Sequence, residues 1–271
     1  MIISPQDTKN IEELGVSLPL ERQKILSILS DKKWFKQTDF ELKKELLTLP
    51  DDWAGYLSDL SKRKDEIGGL EVMKMISIQR GDFVALTRFK VRVMATNEVI
   101  DYGEYETSKY GSNPGFRGIL LLEIAGELKY FILKKSEKFA VGSLVYDSLG
   151  GMIKFENGEL VNMPKRIEDE IKRQLGLSEL EIKRFIDLGQ MHTDVGRSSN
   201  HISLFAAVID ANKAKNIKDL EDKLFTKTKR VSFKVVVEPI DKLSQYINKV
   251  DDSFFLACVA RLISQNIIKL H

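Results

Sequence analysis

The sequence predicts an α+β protein: a mixed β-sheet sandwiched by helices, with an N-terminal helical extension. Three observations carry this reading. The first seventy residues repeat their apolar side chains at helical spacing. After Gly68-Gly69 the texture changes to short runs rich in Val, Ile, Leu and Phe, broken by glycines and turn residues. Helical patterns return at 164–175 and at about 251–270. The change of texture suggests a division into a helical region, 1–69, and a sheet domain, 70–271.

In the helical region, Leu18, Leu20, Ile25, Leu26, Ile28 and Leu29 recur at helical spacing. Asp39 is placed to cap a run carrying Phe40, Leu42, Leu46 and Leu47, which Pro50 stops. Asp51 or Asp52 can cap a third helix with Trp53, Tyr56, Leu57 and Leu60. Trp34-Phe35 and Trp53 are expected to pack on the sheet or to form a partner surface, and packing is the simpler outcome.

Beyond Gly69, Val72 to Ile78 reads as a strand, and Phe83 to Ala95 holds two more apolar runs. Gly118 to Ala125 and Leu128 to Leu133 flank Gly126-Glu127, a hairpin signal. Ile202 to Ile209 and Val231 to Val237 are further strands. Tyr102 to Arg117 reads as a polar, glycine-bearing loop. Lys213 to Arg230 mixes lysines with Asp219, Glu221 and Asp222 and reads as a solvated helix. The helix Pro164 to Leu175 has proline in its first turn, Gly176 just past its end, and Ile167, Ile171 and Leu175 on one face.

Composition narrows the function. Lys+Arg is 42 against Asp+Glu 40, a net charge of +2 over 271 residues, so nucleic-acid binding is not indicated. Cys258 is the only cysteine, which excludes an intrachain disulfide and a Cys-rich zinc site. It lies in an apolar helical run and is expected in the core. With three histidines, a hard cation would have to be held by carboxylates. No stretch approaches the roughly 20 apolar residues of a membrane span. The first residues lack the basic and apolar regions of a signal peptide, so the cytoplasm is the expected compartment. No P-loop, dinucleotide fingerprint or nucleophile elbow occurs.

The informative segment runs from Gly150 to Leu177: Gly-Gly-Met-Ile-Lys-Phe-Glu-Asn-Gly-Glu, then Pro164-Lys-Arg-Ile-Glu-Asp-Glu-Ile-Lys-Arg-Gln-Leu-Gly-Leu. It resembles a decayed Nudix box, Gly-x5-Glu-x7-Arg-Glu-U-x-Glu-Glu-x-Gly-U with U aliphatic. The preceding hairpin and the following strand His201-Ile-Ser-Leu-Phe-Ala-Ala resemble the ADP-ribose and sugar-nucleotide pyrophosphatase branch of that superfamily. The resemblance covers about 99–270 and implies a Nudix-like sheet. Anchored on Gly176-Leu177, Glu170 falls on the first glutamate of the helix and Ile171 on the aliphatic position. Asp169 replaces the arginine, and Arg173 and Gln174 replace the paired glutamates. Gly151 and Glu159 stand for the opening glycine and its glutamate if each half of the box is two residues longer.

In an intact box the carboxylates hold Mg²⁺ or Mn²⁺ against a pyrophosphate. The resemblance therefore assigns catalysis to Glu170 and Glu159, and any metal to the same pair. Glu170, Arg173 and Gln174 share one helical face by spacing. An arginine there opposes a cation but can bind phosphate bidentately. The resulting expectation is a binder of a nucleoside-diphosphate-linked ligand, a nucleotide sugar or ADP-ribose type, with hydrolysis lost or weak and no cofactor. Arg173, Gln174, Arg117, Arg197, Tyr110 and His192 are the ligand-binding candidates, with Arg117 and Arg197 expected to reach the same mouth as Arg173. Asp194 and His201 share the loop with His192.

Three alternatives stay open. One is an active Mg²⁺- or Mn²⁺-dependent hydrolase using Glu156, Glu159, Glu168 and Glu170 in an altered register. Another is an enzyme similar to the NDP-hexose 2,3-dehydratases. That faint similarity rests on Asp52-Trp-Ala-Gly-Tyr-Leu, Gly81 to Val91, Glu98-Val-Ile and Gly118-Ile-Leu-Leu-Leu. The last is a non-catalytic scaffold whose helical region meets a protein partner or a second copy.

Overall fold

The computed structural model describes residues 5–113, 115–138, 140–153, 155–156, 159–160, 163–175, 182–195, 198–210, 224–228 and 231–270. Contacts divide the chain into two compact units. One comprises Met1–Pro114 with His192–His201, the other Gly115–Met191 with Ile202–His271.

Among the described residues, the first unit begins with five α-helices, α1 (Pro5–Ser17), α2 (Leu20–Asp31), α3 (Lys33–Gln37), α4 (Phe40–Leu47) and α5 (Ala54–Lys62), the last entered through a short 3-10 turn, Asp51–Trp53. They are followed by an antiparallel meander, β1 (Glu66–Ile67), β2 (Leu70–Arg80), β3 (Val84–Val93) and β4 (Val99–Ser108). Helices and strands share one core. Leu29, Trp34, Phe35, Leu46, Tyr56 and Leu60 pack with Val72, Met75, Phe89 and Val91. Trp34 meets Phe35 and Phe89 edge-on at 5.7 and 5.5 Å. This corrects the division at 69/70: helices of 5 to 13 residues cannot bury their apolar faces alone, and β2 to β4 supply the other half of their core. The expected packing of Trp34, Phe35 and Trp53 is observed, all three being buried.

A second correction concerns Tyr102 to Arg117. Its first part is the end of β4, and Gly115 already opens the next strand. Polar residues alternate there because β4 is the last strand of its sheet, paired with β3 on one side and meeting only a single bridge, Glu106 to Ser198, among the described residues on the other. A close approach fixes the turn that follows. A Cβ at Gly55 would lie 2.6 Å from the Tyr110 carbonyl carbon, and Gly111 has a φ of +91°.

The second unit is built on a mixed sheet of β5 (Gly115–Ile124), β6 (Glu127–Lys138), β7 (Ser143–Asp147), β8 (Leu149–Met152), β11 (Ile182–His192), β12 (His201–Asp210), β13 (Leu224–Thr228) and β14 (Val231–Pro239). Between them come the short pair β9 (Phe155–Glu156) and β10 (Glu159–Leu160), then helix α6 (Met163–Leu175). Helices α7 (Leu243–Ile247) and α8 (Ser253–Ser264) close the chain. The hairpin β5–β6, strand β12 and strand β14 stand where the sequence puts them. β12 runs parallel to β5, from Ile202 opposite Gly115 to Asp210 opposite Glu123. The segment read as a solvated helix contains strand β13, paired antiparallel with β14. Residues 213–223 and 229–230 of that segment lie outside the described residues.

Alternation along the strands makes two cores. Phe116, Leu120, Leu122, Ile132, Phe205 and Ala207 face α6, which contributes Ile167, Ile171 and Leu175. Ile119, Leu121, Phe131, Leu204 and Ala206 face α8, which contributes Phe255, Cys258, Val259 and Leu262. Each fully buried side chain of this kind stabilises by about 1.5–3 kcal/mol, so either helix is held by its apolar stripe. Asp252 caps α8, accepting from Phe254 N at 3.1 Å and from Ser148 N at 2.7 Å. Among the described residues, no helix is long and apolar enough to cross a membrane.

Candidate functional site

The box segment is set by a fork in the sheet. β5 pairs with β6 through residues 120–124, then with β8 through 115–118. β6 in turn passes to β7 at Lys134. The strands β7 and β8 thus enter between the diverging ends of β5 and β6 and bring Gly150-Gly151 against Phe116 and Arg117. Both glycines are required by space. A Cβ at Gly150 would lie 2.2 Å from the Phe116 carbonyl oxygen. One at Gly151 would lie 3.1 Å from Glu170 Cγ. The absent Cβ of Gly150 lets β8 lie close against β5, and that of Gly151 lets α6 rest directly on β8.

On that helix, Glu170 is 2% exposed. Its carboxylate is enclosed by its own helix. Arg173 donates from Nε to Oε2 at 2.8 Å and also bonds Oε1, a bidentate grip. Gln174 Nε2 donates to Oε1 at 2.6 Å and to the Gly150 carbonyl at 2.6 Å. Arg166, one turn earlier, stands 3.5 Å from Oε2. Two guanidiniums and an amide therefore surround one carboxylate, and the group carries a net positive charge. Burial, and then the charge of Arg166, push the Arg173 guanidinium below its usual value. Two buried polar atoms at the cluster lack a partner, Arg166 Nε and Gln174 Oε1.

This donor set does not suit a divalent cation. Both oxygens of Glu170 are already used, and the nearest charges are positive. Glu168 is paired with Lys172 at 2.6 Å. Glu159 stands opposite Glu156 across the β9–β10 pair. Among the described residues, no group of three His, Cys, Asp or Glu is placed to hold a metal ion.

The structure brings together Glu170, Arg173 and Gln174, as their spacing requires, and adds Arg166. The spacing of Arg166 from Glu170, one turn on the same helix, was the signal available for it. Arg117 is a correction. It alternates with Phe116 and Gly118 on β5, lies on the α8 face, and sets its guanidinium 5.9 Å from the Phe254 ring. The sheet thus separates it from α6, and it does not share a mouth with Arg173. Tyr110 and His192 belong to the first unit. Lys109 Nζ lies 5.1 Å from the Tyr110 ring centroid, and the His192 ring meets that of His201 edge-on at 5.8 Å. Arg197, Gly176 and Leu177 lie outside the described residues.

A second buried charge group, not anticipated from the sequence, sits beside the fork. Lys134 Nζ is 3.2 Å from Asp147 Oδ2, which Lys138 also bonds. Burial lowers the Lys134 ammonium to about 8, against the pull of Asp147 and with help from Arg117 and Lys138. Burial pushes Asp147 up, but Lys134, Arg117 and Lys138 outweigh it and hold the carboxyl below its usual range.

No family model and no curated relative matches the chain. A solved structure of an ADP compounds hydrolase is similar over 75% of this chain and 99% of its own, with a TM-score of 0.52 and 9% identity. The fold class is the Nudix-like α+β one. At this identity the likeness extends to the path of the chain and not to the side chains that carry chemistry.

Proposed function

We propose that the second unit binds a nucleoside-diphosphate-linked ligand, of ADP-ribose or nucleotide-sugar type, and hydrolyses it weakly or not at all. One observation carries the reading: the box face holds a single described carboxylate, Glu170, enclosed by Arg166, Arg173 and Gln174. A diphosphate brings at least two negative charges, and this face offers a surplus cation and an unpartnered guanidinium nitrogen on Arg166. The similar solved structure is of a hydrolase of ADP compounds, which makes ADP-linked compounds the first ligands to try.

The test is titration calorimetry with ADP-ribose and UDP-sugars in EDTA, alongside chromatography of the same compounds with Mg²⁺ and Mn²⁺. Binding is expected in EDTA, with nucleoside monophosphate release near background. Because Arg173 also neutralises Glu170, the informative variant is the pair Glu170→Gln with Arg173→Gln, which removes the guanidinium without stranding a buried charge. It should weaken the ligand by about 30-fold or more. Binding abolished by EDTA, or robust metal-dependent turnover lost in Glu170→Gln, would replace this reading with the hydrolase one.

A further inference from the structure

The first unit holds a cavity of about 620 Å³, lined by Asp59, Lys62, Arg63, Lys64, Tyr105 and Ser199 among others. Its walls come from the end of α5, from β4 and from the loop before β12. Asp59 is 9% exposed, and its Oδ2 is buried without a hydrogen-bond partner. Arg63 follows one helical turn later. Its guanidinium lies 4.7 Å from the ring centroids of both Phe89 and Tyr105, and its Nε is buried without a partner. The hydroxyl of Ser199 is likewise buried, and it faces the Tyr105 hydroxyl.

The spacing of Asp59 and Arg63 would let them pair. They do not: the two rings hold the guanidinium, and Asp59 keeps an oxygen with no donor. Buried polar groups in folded proteins are nearly always satisfied, so the two unpartnered atoms on Asp59 and Arg63, both lining residues of the cavity, mark places where a bound molecule completes the bonding. Their chemistry defines that molecule. Arg63, Lys62 and Lys64 outnumber Asp59 and Glu66 around the cavity, which favours an anion. A guanidinium held between two rings is already oriented for a phosphate or carboxylate. Asp59, when ionised, can only accept, and therefore calls for a hydroxyl on the same molecule. Burial pushes the Asp59 carboxyl up, while Lys62, Ser112 and His201 pull it down.

We propose that this cavity binds a small hydroxylated anion, a sugar phosphate or sugar carboxylate, with its anionic group on Arg63 and a hydroxyl donating to Asp59. The Ser199–Tyr105 hydroxyl pair lines the cavity beside it, and Lys62 and Lys64 add positive charge to the lining. The site lies wholly within the first unit and is independent of the box helix.

The experiment is titration calorimetry of the full chain with ribose 5-phosphate and with gluconate, against ribose and inorganic phosphate separately. Saturable binding of at least one hydroxylated anion is expected, at least about tenfold tighter than ribose or phosphate alone. The preferred anion tells the phosphate source from the carboxylate one. Arg63→Gln should weaken it by about 30-fold, and Asp59→Asn by about tenfold. Ser199→Ala, the mildest change, should weaken it severalfold at an unchanged melting temperature. That variant keeps the test decisive if either helix variant folds poorly. No saturation by either anion at about 10 mM, phosphate binding as tightly as ribose 5-phosphate, or variants that bind like the wild type would each overturn the proposal.

Discussion

Helices α5 and α6 each carry an acid and an arginine within one turn, and they use them oppositely. On α6, Arg173 closes on Glu170 with two bonds, Gln174 adds another and Arg166 stands behind. At the end of α5, Arg63 is held between Phe89 and Tyr105, and Asp59 keeps an unpartnered oxygen. The inventory of charges is nearly the same; the neighbours differ. Gly151 under α6 lets its acid lie flat on β8 within reach of its own helix. Two rings beside α5 hold its arginine away. A closed group of this kind satisfies its own acid and keeps only a surplus of positive charge, whereas an open one leaves its acid to be completed by something else.

Opening the closed group should break this contrast most visibly. Replacing Arg166 and Arg173 together by alanine leaves a 2% exposed carboxylate beside one amide. We expect a loss of about 3–5 kcal/mol in urea unfolding at neutral pH, largely restored when Glu170→Gln is added. A loss that Glu170→Gln does not restore would show that the arginines act through packing. Gly150→Ala attacks the same arrangement from below. Its Cβ would meet the Phe116 carbonyl oxygen of β5 at 2.2 Å, so β8 must part from β5 and shift beneath α6, at a cost of about 3 kcal/mol or more. Thermal melting of the variant checks this, and an unchanged midpoint would refute the close approach.

The Lys134–Asp147 pair sharpens the contrast through pH. The folded-state ammonium titrates at about 8, below the ordinary lysine value of 10.5, so the unfolded chain binds more protons between those values. Wild-type stability should therefore rise relative to Lys134→Met as pH increases across that window, by up to about 3 kcal/mol. Urea unfolding of both proteins in steps from neutral to alkaline pH reads it. A falling difference would mean that the pair, not burial, governs the lysine.

The smallest effect is expected at the open group. Burial raises the Asp59 carboxyl, so the native state holds its proton longer than the unfolded chain does. Sign and window follow: the contribution is present below the usual aspartate range and is lost as pH rises through the native value. Asp59→Asn should then gain on the wild type by about 1 kcal/mol at neutral pH and not at pH 3. Melting curves at the two pH values test this. A variant that is less stable at neutral pH would show that Asp59 is satisfied within the fold.

Much of the scaffold is legible in the sequence alone. The 3.6-residue spacing of Ile167, Ile171 and Leu175 places α6, and Gly126-Glu127 places the β5–β6 hairpin, because periodicity and turn chemistry are local properties. Partition into units is not legible in this way. The texture changes at Gly68-Gly69, yet the helices before it and the strands after it share a core, and burial is a property of pairs of elements. The polar run before Arg117 misleads for a related reason: an edge strand exposes polar residues much as a loop does.

The box cluster is partly visible in the sequence and the α5 cavity is not. Residue spacing on a rigid helix is enough to put Glu170, Arg173 and Gln174 on one face and to show that the carboxylates of an intact box are missing. The face of the sheet to which Arg117 belongs depends on strand register, which only the pairing of β5 with β8 and β12 reveals. Whether an acid and an arginine one turn apart join or stay separate is subtler still. At α5 it depends on Phe89 and Tyr105, some thirty and forty residues further along the chain, taking hold of the guanidinium first. Local spacing sets which side chains can meet. Long-range packing chooses among the partners within reach, and at α5 two ring contacts to the guanidinium prevail over the ion pair that spacing alone allows.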